Sequence, residues 1–188
     1  MKVIFIDRDG VINKDPGGWT EYSYVIKWED FHFLPGSKSA LKRLTFAGYE
    51  IIIISNQQGV NKGCFTPDDL NKINQNMLKS IADAGGRIRS VHYCPHRKEE
   101  ACGCRKPDTG LFEKAVKDFD VDFKETFFIG DGMTDIVAGK KLGCKTILVL
   151  SGKSKKTDIE TWGAKPDYIK KDLSEAVGWI LEEWRRDG

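Results

Sequence analysis

No stretch of the sequence approaches the ~18 consecutive apolar residues that a membrane-spanning helix needs. Ile51-Ile52-Ile53-Ile54 is only long enough for a buried strand. The run Val3–Ile6 behind Lys2 is too short for the core of a signal peptide and leads straight into Asp7. A cytoplasmic protein with no membrane partner is therefore expected. The chain also lacks an excess of charge of either sign. Thirty Lys and Arg against 28 Asp and Glu leave a formal +2, with the signs interspersed, so the bulk composition carries no nucleic-acid footprint. The lysines after position 151 (Lys153, Lys155, Lys156, Lys165, Lys170, Lys171) are loosely spaced and fit a solvated face. Internal repeats, low-complexity tracts and domain linkers are missing too, and 188 residues at 40% hydrophobic content suffice for one domain with a full core. Leu150-Ser-Gly-Lys-Ser154 looks like the tail of a phosphate-binding P-loop, but the glycine required five places before Gly152 is Ile147, so that motif is excluded.

What the chain does have is an abrupt junction near its start. Val3-Ile4-Phe5-Ile6 has the pattern of a strand buried on both faces. It stops at Asp7-Arg8-Asp9, after which Gly10 lets the backbone turn. Strand alternation would place Asp7 and Asp9 on one side and Arg8 on the other. In open α/β sheets, ligands bind outside the carboxyl ends of the strands. Two carboxylates there repel by about 4 kcal/mol at about 4 Å in an effective dielectric of about 20, so a bound cation or a shared proton is expected with them. Taken alone, the pattern describes a solvated strand cap equally well.

Residues 13–30 show no helical period. They carry Pro16-Gly17-Gly18 among Trp19, Tyr22, Tyr24 and Trp28, which reads either as a mobile flap or hairpin over the first strand or as an aromatic edge packed on the core. Pro35-Gly36-Ser37 opens a helix with Ala40, Leu41, Leu44 and Ala47 at helical spacing and Gly48 as its stop, and residues 50–55 form a second strand. Thr66-Pro67-Asp68-Asp69 starts a helix that runs to about Ala84. A third strand is expected over 88–93, a helix with Leu111, Phe112, Ala115, Val116 and Phe119 on one face, and a fourth strand over 126–129, cut off at Gly130-Asp131-Gly132. Ile136–Leu142 suits a short helix, residues 145–150 a fifth strand and Tyr168-Ile169 a short sixth; Asp172-Leu-Ser-Glu175 caps a final helix ending near Arg186. This alternation predicts an α/β fold, a doubly wound, Rossmann-like parallel sheet with helices on both faces.

Three strand ends then converge, carrying Asp7 and Asp9, Ser55-Asn56, and Asp131 with Asp135, while Arg105-Lys106-Pro107 lies between the last two in sequence. The set resembles the haloacid dehalogenase-like (HAD-like) phosphohydrolases: Asp-x-Asp after the first strand, Ser or Thr after the second, a Lys, and Gly-Asp followed by a further acid. The resemblance spans most of the chain. It implies a single HAD-like domain over residues 1–188 without a large cap domain, and a Mg²⁺-dependent phosphomonoesterase that forms an aspartyl-phosphate. By that resemblance Asp7 is the nucleophile, and Asp9 protonates the leaving oxygen and then activates water. Mg²⁺ would take the Asp7 carboxylate, the Asp9 backbone carbonyl and Asp131, with Asp135 behind them holding Lys106 or metal-bound water. Lys106 would offset the charge of the transferring phosphoryl group, whose oxygens Ser55 and the N–H groups around Asn56 would hold.

Cys94-Pro-His96 and Cys102-Gly-Cys104 place three thiols and an imidazole within eleven residues, the donor set of a closed, structural Zn²⁺ site. A disulfide is disfavoured by the expected compartment. Such a loop, at 94–104, would present Arg105 and Lys106, while Cys64 and Cys144 lack partners and are expected to be buried thiols. Cys-Pro-His followed by Cys-x-Cys-Arg-Lys-Pro resembles the branch that holds the D-glycero-D-manno-heptose 1,7-bisphosphate phosphatases and the histidinol-phosphate phosphatases. Asp-Arg-Asp-Gly-x-Ile-Asn13 and Ser-Asn-Gln-x-Gly-x-x-Lys-Gly63 match the heptose enzymes better, which implies a 7-phosphatase of heptose 1,7-bisphosphate. That match makes Arg105 and Lys62 contacts for a phosphate or sugar, and Asn13 and Gln57 parts of the pocket wall. The chain departs from the branch in a shorter zinc loop, a longer and more aromatic flap, and Gly132 where heptose enzymes often have Lys. Histidinol phosphate or another small phosphate ester is the alternative substrate, and a zinc-loop binding module the non-enzymatic alternative. The expected partner is a small phosphorylated sugar, with no nucleic acid, and the expected state is a monomer.

Overall fold

The structure, a computed structural model, describes residues 1–182. Strands β1 (Lys2–Ile6), β2 (Tyr49–Asn56), β3 (Ile88–Cys94), β4 (Phe127–Gly130), β5 (Lys145–Val149) and β6 (Tyr168–Lys170) form one sheet in the order β3-β2-β1-β4-β5-β6. Every pairing in it is parallel. Helices α1 (Ser37–Phe46), α2 (Pro67–Asp83), α3 (Gly110–Ala115), α4 (Met133–Leu142) and α5 (Leu173–Glu182) supply the crossovers and cover both faces. Among the described residues no helix is long and apolar enough to cross a membrane.

The period-2 alternation of the strands sorts their side chains into two cores. Ile4, Ile6, Ile51, Ile53, Phe127 and Ile129 pack with Leu41 and Leu44 of α1, Ile73 and Met77 of α2, and Val177 and Ile180 of α5. Val3, Phe5, Ile52, Ile54 and Phe128 pack on the other face with Leu111 and Phe112 of α3 and Ala138 of α4. Each such side chain contributes roughly 1.5–3 kcal/mol by leaving water. The chain runs outward from β1 through β2 to β3, then crosses back to place β4 on the other flank of β1. Loops leaving β1 and β4 therefore diverge, and a crevice opens at their carboxyl ends.

Two expectations are adjusted. The helix expected to continue through Phe119 ends at Ala115, although Val116 and Phe119 still pack on the same core. The segment 13–30 forms no hairpin: Asn13 bridges Phe33, and single 3-10 turns occupy Glu21–Ser23 and Trp28–Asp30. Its second half is the aromatic edge, with Val25 and Phe31 buried and the Trp28 ring stacked on Phe31 at 5.1 Å. Finally, α5 is described to Glu182, and the expected end near Arg186 lies outside the described residues.

Candidate active site

At the end of β1 the chain turns at once, so strand alternation stops governing it. Arg8 does not point away from Asp9. It curls back, with Nη2 3.0 Å from both Asp9 oxygens and Nε 3.2 Å from Oδ1. The guanidinium is buried between the rings of Phe31 and Tyr93, at 5.9 and 5.7 Å. Asn13 Nδ2 and Gln57 Nε2 donate to the two Asp9 oxygens at 2.9 and 2.8 Å. Burial works against the Asp9 charge, yet Arg8 and the two amides hold its carboxyl below the usual range. The expected repulsion of Asp7 by Asp9 is thus screened by Arg8.

The acids that crowd together are instead Asp7, Asp131 and Asp135, which can each offer one oxygen within 4.8 Å of the others. Asp7 Oδ1 accepts from the Arg8 N–H at 2.8 Å and from Lys106 Nζ at 2.9 Å. Both contacts fall on Oδ1, so Oδ2 is the oxygen left for chemistry. Lys106, 2% exposed, also meets Asp135 Oδ1 at 2.7 Å and donates to the Ile54 carbonyl at 2.8 Å. Its three ammonium protons are thereby matched by three protein acceptors. Burial opposes the Lys106 charge, but Asp135 and Asp7 more than offset it and hold the ammonium above the usual lysine range. The same burial pushes Asp7 up, with Lys106 opposing and Asp135 adding to the rise. Asp135 Oδ2 accepts from the Gly132 N–H at 3.0 Å, which fixes the start of α4.

Asp131 is fully buried at the end of β4, and its Oδ1 makes no hydrogen bond among the described residues. Oδ2 accepts from the Lys153 N–H at 2.9 Å, and the Lys153 ammonium stands 3.6 Å from Oδ1. Burial pushes Asp131 up to about 7, despite Lys153. Backbone comes very close on two sides: a Cβ on Gly10 or Gly152 would run into the Asp131 carboxylate, so both positions need glycine. Lys153 is exposed, as expected of a solvated face, but its ammonium turns to Asp131. The residue pattern that locates it is Ser151-Gly152-Lys153 directly after β5, at the same sheet edge as Asp7 and Asp131.

Asp7, Asp9, Lys106, Asp135 and Lys153 line a cleft of about 230 Å³ that also takes in Ser55, Arg105, Thr134 and, from the flap, Asp15, Pro16 and Tyr24, while the buried Asp131 lies behind this lining. Ser55, 2% exposed, accepts from Gln57 Nε2 at 3.1 Å. Asn56 faces the cleft, but its amide is committed to Lys106, donating to the backbone carbonyl and accepting from the N–H, both at 3.0 Å. Asn13 and Gln57 are not pocket wall, because they are buried and their amides are turned onto Asp9; the neighbouring Gln58 lines the cleft instead. Lys62 is exposed over the Tyr24 ring at 5.9 Å and does not line the cleft. Arg105 does, with Nη1 donating to the His96 carbonyl at 3.2 Å.

Beyond Arg105, Cys94, His96, Cys102 and Cys104 turn their donor atoms onto one point. Sγ of Cys94 lies 3.2 Å from that of Cys104 and 3.5 Å from that of Cys102, and His96 Nδ1 lies 3.3 Å from Cys104 Sγ. All five cysteines are free thiols. Cys144 is buried as expected, whereas Cys64 is only half-buried.

The family model for HAD-hydrolase-like proteins matches residues 103–176, which include Lys106, Asp131 and Asp135. The chain is similar to the D-glycero-beta-D-manno-heptose-1,7-bisphosphate 7-phosphatase of Bordetella bronchiseptica, 32% identical over 97% of this chain and 99% of the relative. It is 37% identical to the enzyme of the same name from Neisseria meningitidis serogroup A, over 90% of this chain and 88% of the relative. Among solved structures it resembles the D,D-heptose 1,7-bisphosphate phosphatase of B. bronchiseptica complexed with magnesium and phosphate. That likeness has a TM-score of 0.89 at 33% identity and covers 97% of this chain and 99% of the other.

Proposed function

Because the chain belongs to the HAD-like hydrolase family, we propose that it is a Mg²⁺-dependent phosphomonoesterase that removes the 7-phosphate of D-glycero-D-manno-heptose 1,7-bisphosphate through a phosphoryl-Asp7 intermediate. The observation that carries this reading is the Asp7–Lys106–Asp135 chain set beside the buried Asp131 at the switch point of the sheet. The substrate rests on the names of the relatives and of the solved structure.

Asp7 Oδ2 attacks phosphorus, the ester P–O bond breaks, and the leaving oxygen takes its proton from Asp9. Asp9 then removes a proton from water, whose oxygen attacks phosphorus while the bond to Asp7 breaks. Arg8, Asn13 and Gln57 hold Asp9 ionised, the form needed in the second half. The incoming phosphate dianion raises its proton affinity, so Asp9 takes up a proton from solvent with the substrate and holds it for the first half. Lys106 supplies positive charge beside the transferring group through Asp7, and Ser55 with the N–H groups around Asn56 receives its oxygens.

The oxygen-only donor set and the Asp131 oxygen without a hydrogen bond fit a hard divalent cation. Asp7, Asp131 and the Asp9 carbonyl would hold Mg²⁺, which when bound supplies the charge that lets a phosphate dianion approach these acids. The cysteine loop fits a structural Zn²⁺: sulfurs 3.2–3.5 Å apart are too distant for a disulfide bond of about 2.05 Å, and with His96 they make a four-donor set. The enzyme is read as one domain working in the cytoplasm as a monomer on a small phosphorylated sugar, without nucleic acid or membrane.

The test is phosphate release with Mg²⁺ from both heptose 1,7-bisphosphate anomers, fructose 1,6-bisphosphate, histidinol phosphate and a 3′-phosphorylated oligonucleotide. A dominant kcat/KM for one heptose anomer is expected. Even activity across the panel would remove the heptose assignment and leave the phosphatase; no release from any ester would remove both.

A further inference from the structure

Lys153 belongs to none of the motifs used above, yet its position is built. The Ser151 hydroxyl donates to the Gly10 carbonyl at 2.8 Å and ties this loop to the turn after β1. Gly152 lets the backbone reach Asp131, and the Lys153 N–H holds Asp131 Oδ2. The side chain then crosses the space above Gly132, where a Cβ would meet Lys153 Cε at 2.6 Å and Nζ at 3.1 Å. Its ammonium ends 3.6 Å from Asp131 Oδ1, with the side chain 57% exposed on the edge between the cleft and an open groove beside Met133 and Trp162.

Donor arithmetic separates this lysine from Lys106. Lys106 has three protons and three protein acceptors within 2.9 Å, so it can reach a phosphoryl oxygen only by releasing Asp7, Asp135 or the Ile54 carbonyl. Among the described residues the Lys153 ammonium has one long contact, to a carboxylate oxygen that makes no hydrogen bond. A contact of 3.6 Å with a solvated ammonium is weak enough to exchange.

We propose that Lys153 is a displaceable counter-ion: its ammonium balances Asp131 while no divalent cation is bound, and once a cation takes that carboxylate the ammonium binds an oxygen of the substrate's phosphoryl group. The proposal rests on the phosphatase reading and adds to it a substrate-binding residue. It makes cation and phosphate binding depend on one side chain with opposite signs. Removing the lysine removes a competitor for Asp131 and a like charge beside the cation, so Mg²⁺ alone binds more tightly. The same change removes a charge-assisted hydrogen bond to phosphate, worth about tenfold or more in affinity.

The experiment uses the full chain as wild type, Lys153→Met and Lys153→Arg, with calorimetric titration of Mg²⁺ alone and of inorganic phosphate at saturating Mg²⁺. Both variants keep the backbone N–H that fixes Asp131. Lys153→Met is expected to bind Mg²⁺ several-fold more tightly and phosphate at least about tenfold more weakly, with KM rising more than kcat falls. Lys153→Arg is expected to recover phosphate binding. Weaker Mg²⁺ binding with unchanged phosphate binding would make Lys153 only a support for Asp131 and overturn the proposal. Unchanged binding of both would make it a solvated surface lysine and overturn it equally. A wild type that binds Mg²⁺ but releases phosphate from no ester would defeat the phosphatase reading instead.

Discussion

A buried carboxylate with one oxygen lacking a hydrogen bond costs stability, and Asp131 is kept in that condition at the end of β4. Burial lifts it from its usual 3.8 to about 7, so between these values the folded protein keeps a proton that the unfolded chain gives up. More protons bound in the folded state means that stability falls as pH rises. Cation-free protein is therefore expected to lose up to a few kcal/mol between pH about 4 and about 7. Thermal melts across that range should show the slope in wild type and lose it in Asp131→Asn. Added Mg²⁺ should raise Tm in wild type and not in the variant; a variant that still responds would place the cation elsewhere. Asp9 predicts a different outcome, because the proposed mechanism makes it the proton carrier: Asp9→Asn should lower kcat by about 10²–10⁴-fold while Mg²⁺ binding persists. At this scale the sequence shows which acids matter better than it shows what holds them. Asp7, Asp131, Asp135 and Lys106 announce themselves by their place after strands and glycines. Asn13 and Gln57 are named by motif only as pocket wall, since the contact of Gln57 with Asp9 is long-range and no local pattern connects it. Lys153 hides for the same reason, as an ordinary lysine whose meaning comes from Asp131, 22 residues away.

Whole loops are positioned by a few contacts between elements. The end of β2 clamps the segment after the cysteine loop through the paired Asn56–Lys106 hydrogen bonds. Asn56→Ala leaves both Lys106 backbone groups without these partners and is expected to cost about 1–3 kcal/mol. It should lower kcat as well, by loosening the lysine that neutralises Asp7. Denaturant melts and initial rates on the same preparation check the two effects together. From the other side, the cysteine loop ends one residue before Arg105. Purified protein is expected to carry about one equivalent of Zn²⁺, and a strong chelator should lower Tm and activity together. Metal analysis that finds none in protein never exposed to chelator would contradict this. The strand and helix pattern was legible because continuous Val/Ile runs and capping residues mark each boundary; Thr66, for example, forms its capping box with Asp69. The end of α3 was not, because Val116 and Phe119 continue the apolar spacing and pack on the core even though the helix has stopped. The flap likewise mixes residues facing the cleft with residues facing the core, and composition alone does not divide Tyr24 from Trp28.

Over the whole molecule, a doubly wound sheet brings residues from positions 7, 55, 106 and 153 to one crevice, with Asp131 buried against Lys153 at its edge. The topology was legible from alternating strands and helices, and the crevice follows from where the strand order reverses. Both cores feed that geometry, so a deep truncation far from the cleft should act on it through stability. Phe5→Ala, beneath the site in the α3–α4 core, is expected to cost about 3–5 kcal/mol and to be read in denaturant melts. The central claim, that this crevice transfers a phosphoryl group to Asp7, is tested most directly by acid-quenching a single turnover with Mg²⁺ and locating any phosphoryl group by peptide mass spectrometry. A phosphoryl group on Asp7 during turnover, absent from Asp7→Asn together with phosphate release, is the expected result. Phosphate released at the wild-type rate by Asp7→Asn would contradict the account.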